Sequence, residues 1–131
     1  MIRSDESIDA WVLMAVGSSL VPWRGRSLVG IVGMLDAIER AYPTAQEFEG
    51  AIGRLHARDL IRVRDDRVRL SADGRVLLRT TRGGRGFLNQ WKRLEVAFGD
   101  MPAAKAPPES LLLQGAFDRA LREYLMQNGL E

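Results

Sequence analysis

The sharpest hydrophobic–polar pattern in the chain runs from Ile61 to Leu70, IRVRDDRVRL. Ile61, Val63, Val68 and Leu70 alternate with Arg62, Arg64, Arg67 and Arg69, the period of a strand with one buried face. Asp65-Asp66 between the halves tolerates tight-turn geometry, so the segment predicts a two-residue hairpin. That register sets Arg64 opposite Arg67 and Arg62 opposite Arg69, all four on one face. Directly opposed like charges destabilise a ribbon by about 0.2–1 kcal/mol per pair. A polyanion along that face would reverse the penalty, and a nucleic-acid backbone is the obvious candidate. The plainer alternative is a solvated face whose arginines splay toward carboxylates elsewhere.

Helical spacing accounts for most of the remainder. Ser7 is placed to cap a helix reaching about Leu20, with Ile8, Trp11, Val12, Ala15 and Val16 inward. A second runs from about Ser27 to Ala41 and stops before Pro43. Thr44 and Glu47 form a capping box that opens a third, over 44–58, with Phe48, Ile52 and Leu55 inward. Ser71 starts a fourth helix ending near Thr80, and the glycine-rich stretch Arg82–Gly86 predicts a connector. A fifth spans Phe87–Phe98 with Phe87, Trp91, Leu94 and Phe98 on a stripe. The last is expected over about Glu109–Gln127, with Leu113, Phe117, Ala120, Leu121 and Tyr124 on one face.

Composition adds a charge asymmetry. The 131 residues carry a net charge of only +2. Residues 54–93 nevertheless hold twelve Arg/Lys against four Asp/Glu, and the acids outnumber the bases on either flank. A basic middle between acidic ends points to a localised anion-facing surface. The longest charge-free stretch, Ala10–Trp23, is too short to span a bilayer, and the early Asp5 and Glu6 do not read as a secretory signal. With no cysteine, a cytoplasmic protein without membrane contact is expected.

Residues Pro43–Leu78 carry a family resemblance. A capped third helix is followed by Leu60-Ile61, a charged hairpin, and then Leu70, Ser71 and Gly74. This resembles the winged helix-turn-helix domain of bacterial transcriptional regulators, broadly the MarR- and PadR-like groups. The resemblance implies a mainly α fold with a small antiparallel β-hairpin. It divides the chain into a winged helix domain over 1–81 and a C-terminal helical extension over 82–131, packed as one compact unit. It makes the helix over 44–58 the recognition helix and the hairpin over 61–70 the wing, one in a major groove and the other on backbone or minor groove. In relatives such extensions pair subunits, so a homodimer on double-stranded DNA is expected.

On the outward face of the third helix, Thr44, Gln46, Gly50, Gly53 and Arg54 are the candidate DNA contacts, beside the four wing arginines. Arg54 can address guanine and Gln46 adenine. Glu49 opposes phosphate, and base selectivity should be modest. Arg82 and Arg85 belong either to an arm reaching into a groove or to a plain loop. Trp11, Trp23, Phe87, Trp91, Phe117 and Tyr124 suit the lining of a small-molecule effector pocket or an ordinary dimer core. His56 has no second His or Cys to share a metal, and no catalytic constellation stands out, so neither an enzyme nor a cofactor is expected. The rival reading is a winged-helix protein-interaction or small-ligand module without DNA as its main partner.

Overall fold

The computed structural model describes residues 3–17, 25–83, 87–104 and 110–129. Six helices lie among them, α1 (Asp5–Gly17), α2 (Leu28–Glu39), α3 (Ala45–Ala57), α4 (Ala72–Thr81), α5 (Phe87–Asp100) and α6 (Ala116–Gln127). The strands are β1 (Arg26–Ser27), β2 (Ile61–Arg64) and β3 (Arg67–Leu70), in the antiparallel order β1-β3-β2. The protein is mainly α with a small three-stranded antiparallel sheet, the hairpin following the third helix.

Caps fix the helix starts. Thr44 Oγ1 accepts the Glu47 N–H at 3.0 Å while Glu47 Oε1 accepts the Thr44 N–H at 2.8 Å, so the capping box forms. Ser27 and Ser71 cap α2 and α4 through the N–H groups of Gly30 and Gly74. The first helix begins earlier than expected, because Ser4 rather than Ser7 supplies the capping oxygen; it accepts the Ser7 N–H at 3.1 Å. The last begins later, at Ala116. Gly115 (φ 74°) is left-handed and segment 110–115 is not helical, so Leu113 is 67% exposed instead of packing with Phe117.

Trp11, Ile31, Leu35, Phe48, Ile52, Leu55, Ile61, Leu94 and Phe98 form the centre of one core. The C-terminal helices enter it directly: α5 packs on α1 and α6 on α2. Trp91 stacks against Trp11 with ring centroids 5.9 Å apart, and Phe117 against Phe48 at 4.5 Å. Each such pair adds about 0.5–1.5 kcal/mol beyond its buried area. Phe87 is the exception on the α5 stripe, 43% exposed at the first turn.

Candidate nucleic-acid interface

The hairpin forms in the register its alternation predicts. Arg62 pairs with Arg69, Val63 with Val68 and Arg64 with Arg67. Asp65 (φ 51°) and Asp66 (φ 58°) are both left-handed, the requirement of a tight turn whose twist matches the strands. Ile61, Val68 and Leu70 are buried against the core, and the four arginines stand exposed on the opposite face. They line one concavity of about 570 Å³ together with Gly25, Val63 and Asp65.

Strand β1 anchors this ribbon, with Arg26 beside Val68 and Ser27 beside Arg67. Gly25 leads into it at φ 72°, where an added Cβ would stand 2.9 Å from the Val68 carbonyl oxygen. The Gly25 carbonyl accepts from Arg67 Nη2 at 3.1 Å, orienting that guanidinium. At the far end Asp66 Oδ1 accepts the Leu113 N–H at 3.3 Å. A second concavity, of about 350 Å³, lies there between the turn, Ser27, Leu28, Ala116 and Glu123.

Two of the arginines are weakly paired with nearby acids. Arg62 pairs with Asp59, three residues away, and Arg64 Nε stands 3.8 Å from Asp65. Both pairs are solvent-exposed, the class in which an ion pair contributes about 0–1 kcal/mol. A phosphate oxygen can therefore compete for either guanidinium at little cost.

The third helix departs from expectation at two positions. Arg54, expected on the outward face to read guanine, turns back onto α1. Its Nε donates to both Asp9 carboxylate oxygens at 3.1 and 3.0 Å and its Nη2 to Oδ1 at 2.8 Å, with Asp5 3.7 Å from Nη1. The Arg54 side chain is 16% exposed and that of Asp9 2%. Burial pushes the Asp9 carboxyl up to about 6 against the pull of Arg54. Burial alone would lower the Arg54 guanidinium, but the Asp9 carboxylate, with Asp5 and Glu6, more than offsets it. Gly53, the second departure, is buried. Thr44 and Gln46 are exposed and Gly50 half-buried, so the remaining outward face of α3 has one base-reading side chain, Gln46. Asp9 escaped the sequence reading; a single acid within the apolar run from Ile8 to Val16 was the signal that a cation must meet it.

The aromatic candidates separate likewise. Trp11 Nε1 donates to the Leu35 carbonyl at 3.1 Å and Trp91 Nε1 to that of Ser7 at 3.0 Å, which satisfies two core tryptophans. Tyr124 donates its hydroxyl to Asp36 Oδ2 at 2.8 Å; that bond, reinforced by burial and the carboxylate's charge, pushes the phenol up to about 12. Neither concavity at the hairpin is lined by these residues or by Phe87 or Phe117. Arg82 is exposed, while Trp23 and Arg85 lie outside the described residues. Among the described residues no helix is long and apolar enough to cross a membrane.

No family model, no curated protein and no solved structure matches this chain.

Proposed function

We propose that this protein is a DNA-binding transcriptional regulator that holds duplex DNA chiefly by its phosphate backbone. The reading rests on one observation: the hairpin register gathers four exposed arginines around a single concavity. Opposed like charges persist in a folded ribbon at a cost that an anionic partner removes. The capped helix α3 beside the ribbon supplies Thr44 and Gln46 to a groove. With Arg54 bound to Asp9, base reading is slight and affinity is mostly charge. Two subunits related by a two-fold axis would address half-sites about 34–36 Å apart.

Binding of a labelled random-sequence duplex, followed by fluorescence anisotropy from about 50 to about 200 mM salt, tests this. The wild type should bind with a steep salt dependence. Replacing Arg62, Arg64, Arg67 and Arg69 by alanine should abolish retention while the circular dichroism spectrum stays unchanged. Retention by that variant equal to the wild type's would overturn the reading.

A second reading draws on the commitment of Arg54 to Asp9 and on half-exposed Glu49, which repels phosphate. In it the outward face of α3 seats a protein or a small ligand. Failure of the wild type to bind duplex at the lowest salt would decide for it.

A further inference from the structure

We infer that the outward face of α4 is a second phosphate-contacting surface, which extends the wing along the backbone of the same duplex; this rests on the DNA reading above. Arg75, Arg79 and Arg82 recur at i, i+4 and i+7, the last at the C-terminal cap, and so follow one stripe. All three are exposed, while Gly74, Leu78 and Thr81 are buried on a face roughly a quarter-turn around the helix.

Several other arginines have acceptors: Arg3 meets Glu39, Arg54 meets Asp9, Arg62 meets Asp59, Arg93 meets the Thr81 carbonyl and Arg119 that of Gln114. Among the described residues none of the three stripe guanidinium groups has a hydrogen bond or an ion pair. The helix dipole favours cations at the C-terminal end, which accounts for Arg79 and Arg82 but not for Arg75 in the first half of the helix. Like charges at these spacings oppose helix formation, a repulsion that an anionic partner would relieve.

Position along the chain links the two surfaces. Arg75 follows Arg69 by six residues, so their Cα atoms are no more than about 20 Å apart. One turn of duplex spans roughly 34 Å, enough to meet both. The evenly charged rail of a nucleic-acid strand is the occupant whose chemistry complements a line of guanidinium groups.

The test uses the full-length protein and a random-sequence duplex of about 30 base pairs, three helical turns. Arg75→Ala/Arg79→Ala/Arg82→Ala should reduce the slope of log affinity against log salt by about 2.7 if each arginine meets one phosphate, and weaken binding about tenfold or more at 100 mM salt. The corresponding triple lysine variant should keep the wild-type slope. A triple alanine variant whose titrations superimpose on the wild type's, while the wing variant has lost binding, would overturn the inference and leave the wing reading standing. Weaker binding at an unchanged slope would overturn it too, because the effect would then not be phosphate contact. Wild-type binding to phosphatidylserine vesicles that the triple alanine variant loses, with its DNA binding intact, would assign the stripe to a membrane surface instead. No duplex binding by the wild type at about 50 mM salt would end both readings.

Discussion

Arg54 and Asp9 are 45 positions apart in the chain, and together they remove the best base-reading side chain from α3. A buried carboxylate left without its guanidinium costs about 3–5 kcal/mol, so Arg54→Ala should destabilise the protein by that order, measured by urea unfolding at pH 8. The deficit should shrink toward pH 5. With its carboxyl raised to about 6, Asp9 folds more readily neutral than charged; its contribution to stability is present at low pH and falls as pH rises through 6. In the wild type Arg54 offsets part of that loss; in the variant its hydrogen bonds and charge are gone, so the loss is larger. A deficit below about 1 kcal/mol at pH 8 would mean the pair is not the strut its geometry implies. Periodicity placed Arg54 correctly on the side of α3 away from Phe48 and Ile52. It could not say that the first turns of α1 cover that side, because nothing local to residue 54 records a partner so distant.

Among the elements, those with a period or a cap were legible and the others were not. The hairpin was readable because alternation and the Asp-Asp turn agree, and α3 because Thr44 and Glu47 satisfy each other's N–H groups. Strand β1 has two residues, too few to show any period, and exists only because β3 offers it a free edge. The start of α6 was misplaced because the apolar residues Leu111–Leu113 carry helical composition while Gly115 sets the boundary by its left-handed backbone. Gly74, part of the pattern after the hairpin, has a packing reason: an added Cβ would lie 2.1 Å from the backbone oxygen of Leu60. Backbone cannot swing aside as a side chain can. Gly74→Ala should therefore cost about 1–3 kcal/mol or more by urea unfolding. Gly99→Ala in α5, with nothing within 4 Å of the new methyl, should be neutral or stabilising. Equal effects at the two sites would contradict this account of how α4 seats against the turn after α3.

In the molecule as a whole, the inward faces of α5 and α6 are consumed by its own core, through Trp91, Leu94, Phe98 and Phe117. A homodimer would thus be built on outward residues, of which Leu88, Val96 and Met126 are large, apolar and exposed. Sedimentation equilibrium at micromolar concentration should give twice the 14.6 kDa chain mass, and a single species at chain mass would contradict the paired half-site arrangement. The bond from the Leu113 amide to Asp66 has its consequence at this scale as well. A ribbon moored at its tip meets a partner already shaped, with the loss of freedom incurred during folding rather than at encounter. The same bond ties the lead-in to α6 to the turn of the ribbon.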